Sequence, residues 1–307
     1  MAGNRTRNNR DSAFISFCIC TYLRPEMLAK ALEAVISQDT PSFSFEVVVV
    51  DNDRNRSAEE TVHRIQSRTQ IAVSYTCEPE QNISLARNRA VRSAGGSYIA
   101  FIDDDEFPIR DWLARMYNCL LEYEADSVLG PVLPDYPDGV PHWLIKSGFC
   151  NRRRNATGSP ISEKDRRSGN ILFRRDIFEK DALWFDPARG LTGGEDSDFI
   201  DRQIQRGKKF IWCDEAVVYE TVAPARWSAS YYLQRSFRSG ALSGKAQHRQ
   251  VILGNVARAA VLFAFSTVIL PFSFPAGKHV WMKVLMRSVY YGGFLLSFAG
   301  FLNPSTR

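Results

Sequence analysis

The chain has 307 residues, 45% of them apolar and 24% charged, with a formal charge of +5. This excludes a disordered or fibrous chain and allows one large domain or two small ones around a full core. The mild basic excess sits at Arg5, Arg7 and Arg10, at Arg152-Arg153-Arg154 and in the last third. It suits phosphates or an anionic membrane surface and argues against a nucleic-acid partner.

Residues 1–13 read as a polar tail. Ile15–Cys20 is a β-forming run without a small-x-small cleavage site after it, so it reads as a first buried strand and not a signal peptide. Pro25 suits the first turn of a helix whose apolar face is Leu28, Leu32, Val35 and Ile36. Phe45–Val50 is a continuous apolar run, as in a parallel strand buried on both faces, and it ends in Asp51-Asn52-Asp53. Ser57 and Glu60 predict a capping box for the next helix. Ile71–Tyr75 is a third strand. Asn82 caps a helix with Leu85, Ala90 and Val91 inward, stopped by Gly95-Gly96, and Ser97–Ile102 is a fourth strand running into Asp103-Asp104-Asp105. The order βαβαβαβ predicts a doubly wound, mostly parallel sheet flanked by helices, with ligands at the carboxyl ends of the strands.

After Asp105 the rhythm changes. Asp111–Tyr123 reads as a helix with Leu113, Met116, Leu120 and Leu121 inward, Val128–Leu133 as a strand, and residues 134 to about 167 as a long loop over the site. Asn170–Arg174 is a further strand. Thr192-Gly193-Gly194-Glu195-Asp196 feeds a helix ended by Gly207, and Lys208–Cys213 and Ala216–Tyr219 are short strands, the latter followed by Glu220. The six cysteines (Cys18, Cys20, Cys77, Cys119, Cys150, Cys213) have no zinc or redox-pair spacing and point to a reducing compartment.

The acids at strand ends carry the chemistry. Asp103 and Asp105, at alternate positions, can grip one cation while Asp104 points elsewhere. Oxygen ligands favour Mg²⁺ or Mn²⁺, which would bridge the carboxylates to a diphosphate. In isolation the triplet also suits a solvated turn with a helix cap; its place after a buried strand favours the site. Glu195 and Asp196 open a helix, where the dipole favours the ionised form that a general base needs, although plain capping explains them equally well. Asp51 and Asp53 can accept from a nucleoside or simply close a turn. Arg87 and Arg89 can meet phosphate or form an exposed basic face. Glu220 can add a carboxylate to the metal shell or merely end a strand.

Taken together, Cys18-Ile19-Cys20-Thr21-Tyr22-Leu23-Arg24-Pro25, Val49-Val50-Asp51-Asn52-Asp53, Ile83-Ser84-Leu85-Ala86-Arg87-Asn88, Ile102-Asp103-Asp104-Asp105-Glu106 and Gly194-Glu195-Asp196-Ser197-Asp198-Phe199 resemble family-2 inverting glycosyltransferases of the GT-A fold. The similarity is greatest to the bacterial exopolysaccharide, succinoglycan-type branch. It covers about residues 14 to 240. It implies a hexosyltransferase-type enzyme that moves a sugar from a nucleotide-sugar, a UDP-sugar, to a hydroxyl of a growing glycan. Thr21 and Asp51 would hold the nucleoside, and Arg235 and Arg238 could touch the diphosphate; Asp53, Arg87 and Asp104 are counted with the donor site from their positions in the motifs. Asp103 and Asp105 would be the DxD metal ligands, with Glu220 where many relatives have histidine. Asp196 would be the catalytic base, with Glu195 beside it in the acceptor site.

The division predicted is a tail over 1–13, a GT-A domain over 14–250 (nucleotide half 14–105, acceptor half 106–250) and a hydrophobic helical segment over 251–307. Ala259–Phe274 is almost wholly apolar but holds Pro271; Val280–Leu302 carries Lys283 and Arg287 four apart. Interfacial or re-entrant attachment, a spanning hairpin and a buried helix pair all fit these two stretches. Membrane contact suits a polyprenyl-diphosphate-linked acceptor and places the chain on the cytoplasmic side of the bacterial inner membrane. Two other readings compete. An aspartyl-nucleophile phosphatase shares the DxD, and a catalytically silent, membrane-bound carbohydrate-binding protein shares the fold. A nicotinamide dehydrogenase is disfavoured because no GxGxxG follows the first strand.

Overall fold

The computed structural model describes residues 13–40, 42–179, 183–250 and 253–300; the expected tail over 1–13 lies, save for Ala13, outside them. The described chain forms two compact units. One comprises residues up to 133 with 152–220, the other 134–151 with 221 onward. The second unit thus begins earlier in the chain than the hydrophobic segment read from the sequence.

The first unit is built on strand β1 (Phe14–Thr21), helix α1 (Pro25–Ile36), β2 (Ser44–Asp51), α2 (Glu59–Gln66), β3 (Val73–Cys77), α3 (Ile83–Ser93) and β4 (Tyr98–Asp103). β1 lies parallel between β2 and β4, and β3 lies parallel on the far side of β2. Alternation along β1 and β2 sends Phe17, Ile19, Val47 and Val49 to one face and Cys18, Val48 and Val50 to the other. Helices cover both faces, which is why these strands read as unbroken apolar runs. Gly96 lets the turn before β4 approach β1: a Cβ there would lie 2.6 Å from the Ser16 backbone nitrogen.

The chain continues through β5 (Glu106–Pro108), α4 (Trp112–Glu122), β6 (Ser127–Leu129) and β7 (Val132–Asp135). After α5 (His142–Ser147), in the second unit, come β8 (Ile171–Arg174), α6 (Asp176–Glu179), α7 (Glu195–Gln205), β9 (Phe210–Trp212) and β10 (Val218–Thr221). The main sheet has the order β3-β2-β1-β4-β8-β6-β9, with β8 antiparallel to both neighbours; a smaller sheet has the order β5-β10-β7. This is the mostly parallel, helix-flanked sheet the sequence predicts.

Several local expectations change. Ser57 makes no cap: α2 is capped at Ala58, whose backbone N–H donates to the Asp51 carboxylate at 2.8 Å, and the Ser57 hydroxyl is buried without a partner. Leu121 lies 44% exposed on the outer face of α4. The run 128–133 is broken at Gly130-Pro131 into two strands in different sheets. The expected long loop over 134–167 contains α5, and its first half joins the other unit. The Asn82 cap forms as expected, accepting from the Ser84 and Leu85 N–H groups.

In the second unit, α8 (Ala229–Gln250), α9 (Leu253–Ser273) and α10 (Lys278–Phe298) follow one another. Leu144, Val222, Tyr232 and Met282 form its small core. α8 and α10 cross in backbone contact. A Cβ on Gly240 would stand 1.9 Å from the Tyr290 carbonyl oxygen, and one on Gly244 2.2 Å from that of Phe294. Small residues four apart permit such an approach. Gly293, an awkward residue for an isolated helix, meets the Phe237 carbonyl in the same crossing.

Candidate active site

The parallel register sets the site. Thr21 pairs with Asp51, and Cys20 with Asp103, so the carboxyl ends of β1, β2 and β4 finish level. There the backbone leaves the sheet, and side chains project where ligands bind in open α/β sheets.

At the end of β2 the fully buried Asp51 carboxylate accepts from the Asp53 and Ala58 N–H groups and from the Tyr75 hydroxyl at 3.0 Å. Its oxygens are engaged in holding the loop. Asp53 differs: one oxygen accepts from Asn55 N–H, and the other is buried without a partner. Of the two expected nucleoside contacts, Asp53 therefore has the oxygen left without a partner, and that oxygen is buried.

The triplet splits three ways. The Thr21 hydroxyl donates to Asp104 at 2.8 Å, and Arg24 reaches both Asp104, at 3.1 Å, and Asp105, at 3.3 Å. Thr21 and Asp104 are thus bound to each other in this structure. Asp103 is half exposed, with Arg87 at 3.5 Å. Burial, and then the negative charges of Asp103 and Glu220, push Asp105 up to about 6. Glu106, deeply buried and next to Asp103, is pushed up to about 8. Its carboxylate accepts from the Asp103 backbone N–H.

Arg87 joins the two halves of the site. The side chain is buried, so the exposed-basic-face alternative does not hold for it; Arg89 is half-buried and pairs with Glu78 at 2.8 Å. Arg87 pairs with Glu195 at the start of α7 and with Asp103 at the end of β4. Burial alone would lower its pKa, but Asp103 and Glu195 outweigh that and raise it. The expected phosphate ligand is thus taken up by carboxylates. Glu195 is buried, with one oxygen on Arg87 and the other unpartnered. Asp196 is only partly buried, accepting from the Ser197 N–H at 2.7 Å and the Ser168 N–H at 3.3 Å. Of this acidic pair, Asp196 is the one whose carboxylate is partly exposed.

The segment before β8 supplies groups that sequence reasoning missed. Gly169 lies against the acids: a Cβ there would meet a Glu106 oxygen at 2.8 Å and an Asp103 oxygen at 3.0 Å. Arg152 pairs with Glu220, which faces Glu106 across β5 and β10. Arg167 lies over the Trp212 ring, its charge disfavoured by burial and by Arg152. Arg24 and Glu106 stood inside motifs already singled out, and Arg152 in a noted basic run. Nothing in the local pattern marks Gly169. Arg235 and Arg238 lie exposed on α8, in the second unit, away from this constellation in the chain.

A divalent cation fits the donor set. The candidate ligands are oxygen-only and repel one another. Among the described residues, however, no three His, Cys, Asp or Glu side chains converge as a closed cage. A cation held here would need ligands beyond these side chains, such as phosphate oxygens and water.

A mixed, mostly parallel sheet with acids at the carboxyl ends of β2 and β4 and at the start of α7 is the GT-A glycosyltransferase architecture. Residues 16–181 match the model of glycosyl transferase family 2. The chain is 30% identical over 298 residues to the succinoglycan biosynthesis protein ExoM of Rhizobium meliloti, covering 94% of each. It is 28% identical over 54% of both chains to glycosyltransferase AglE of Haloferax volcanii. Among solved structures, the mannosyltransferase PcManGT of Pyrobaculum calidifontis, in complex with GDP-Man and Mn²⁺, aligns with a TM-score of 0.62 at 18% identity, covering 93% of this chain and 87% of that one. The chain belongs to glycosyl transferase family 2 and is a glycosyltransferase, which sets aside the phosphatase reading.

Proposed function

We propose that the enzyme is a metal-dependent, inverting hexosyltransferase. It moves a sugar from a UDP-sugar to a hydroxyl of a growing, lipid-linked glycan in surface or exopolysaccharide synthesis. The observation that carries this reading is the Arg87 bridge, which ties the Asp103 end of β4 to Glu195, next to Asp196. The relative named for succinoglycan biosynthesis supports the glycan class. S. aureus TarS, which shares the fold at a TM-score of 0.55 and 15% identity over 94% of this chain and 91% of its own, is known in complex with UDP-GlcNAc and supports a uridine donor.

In this reading Asp53 accepts from the nucleoside through its unpartnered oxygen. Asp103 and Asp105 would hold Mg²⁺ or Mn²⁺, which would supply positive charge against the departing diphosphate. Asp196 takes the proton of an acceptor hydroxyl as that oxygen attacks the anomeric carbon. The nucleoside diphosphate leaves from the opposite face, so one displacement inverts the configuration through an oxocarbenium-like transition state. Glu195, paired with Arg87, sits beside Asp196 in the first turn of α7. Attachment through the C-terminal helices would bring the enzyme to lipid-linked acceptors at the cytoplasmic face of the membrane. The stretch from α9 into the turn after it supports this: residues 254–276 are long and apolar enough to cross a bilayer, with mean hydropathy 1.9.

The test is a panel of nucleotide-sugars offered to the full chain with Mg²⁺ or Mn²⁺, read as nucleotide release and transfer. UDP-sugars should be turned over only with the cation. Turnover that survives exhaustive chelation would overturn the metal role.

A further inference from the structure

After Glu220 the chain contains no aspartate or glutamate, but ten lysines and arginines. Within this acid-free segment α9 is inside out. Ala259, Ser266 and Ser273, seven apart, are the buried ones among its described residues, and the neighbouring Thr267 hydroxyl bonds Ser288 of α10 at 2.8 Å. Val261, Phe265, Val268 and Phe272, at helical spacing, form a stripe 57–77% exposed, which Phe274 continues. A helix that packs its small and polar face inward and turns its aromatic face outward is not completed by its own fold.

Between α9 and α10 lies a cavity of about 140 Å³ lined by Phe265, Ser266, Ile269, Lys283, Val284 and Arg287. Its wall is apolar, and Lys283 and Arg287 stand one turn apart on α10. Both are exposed, and neither has a carboxylate partner among the described residues. The cavity falls beside the middle of α9, and this decides the orientation. If α9 crossed a bilayer, these two cations would be held at mid-depth in hydrocarbon, where such charges are costly. If the helix pair lies in the interface, the aromatic stripe enters the acyl region while the two cations meet the headgroups.

We propose that the α9–α10 cavity binds the phosphate of an anionic bilayer phospholipid, and that the pair lies in the interface rather than spanning it. The proposal rests on the membrane-attached reading above and assigns it a site. The apolar wall takes the start of an acyl chain, and Lys283 and Arg287 take the phosphodiester. Charge complementarity selects the occupant, because two unanswered cations beside exposed apolar surface suit an anionic lipid and not a neutral one.

The test is co-sedimentation of the full chain with vesicles of phosphatidylcholine alone, or of equal parts phosphatidylcholine and phosphatidylglycerol, repeated with inorganic phosphate as competitor. The wild type should prefer the anionic vesicles. Lys283→Gln/Arg287→Gln should weaken that binding about thirtyfold, the attraction of two basic residues to an anionic surface. Lys283→Arg/Arg287→Lys should retain it, and inorganic phosphate should not displace it. Equal binding of the wild type to both vesicles would leave membrane attachment standing and overturn the phosphate site, as would an unchanged anionic preference in the glutamine variant or displacement by inorganic phosphate. Binding to neither vesicle would overturn the attachment reading itself.

Discussion

The two compact units handle charge in opposite ways. In the first, acids gather at the ends of parallel strands and most are answered: Arg24 by Asp104 and Asp105, Arg87 by Asp103 and Glu195, Arg152 by Glu220. In the second, the chain from Thr221 onward carries cations and no acids at all. A network of paired charges fixes side chains for chemistry. Lys283 and Arg287 stand beside exposed apolar surface with no carboxylate partner among the described residues. In the proposed reading, catalysis and membrane attachment would separate by charge pairing as well as by sequence position.

That contrast can be broken first at the acids. Asp103→Asn should cost several kcal/mol of transition-state stabilisation, a fall in transfer of more than about 100-fold, measured as turnover under saturating Mn²⁺. Next comes the bridge. Arg87→Met leaves Glu195 buried without its cation and should destabilise the first unit by about 3–5 kcal/mol in urea unfolding. A Glu195→Leu second substitution should recover part of that loss, and a simple sum of the two effects would show that the pair is not coupled. In the second unit, Gly244→Leu drives a side chain into the Phe294 backbone and should cost about 1–3 kcal/mol or more, read as a lowered thermal midpoint. The smallest effect is expected at Leu121→Ser, on the exposed face of α4, within about 0.5 kcal/mol.

The donor end of the fold was legible because strands buried on both faces have a simple signature. Val47 to Val50 are all fully buried, and the same run delivers Asp51 to the sheet edge. Asn82 and Gly194 were legible for a local reason: caps and left-handed turns depend on a few neighbouring residues. What failed was decided at a distance. Ser57 lost its capping role because a carboxylate on β2 reached the Ala58 N–H first. Residues 134–167 carry no period, and their path is set by contacts with elements far along the chain. Gly169 had no signal because its reason lies in two carboxylates more than sixty residues earlier. Arg87 reads from the sequence as a phosphate contact or an exposed basic residue, since a buried ion pair is invisible until both helices are placed. The α9–α10 stretches were recognisable as apolar, but which face pointed inward was not.

The most direct test of the account is Asp196→Asn in the full chain, with UDP affinity measured by calorimetry in Mn²⁺ and sugar transfer measured on the same preparation. The substitution keeps the shape of the first turn of α7 and removes only its basicity. The account predicts UDP binding within about twofold of wild type and transfer reduced by about 10²–10⁴-fold, the usual contribution of a positioned base. Transfer at the wild-type rate would contradict the assignment of Asp196, and with it the single-displacement mechanism built on this site.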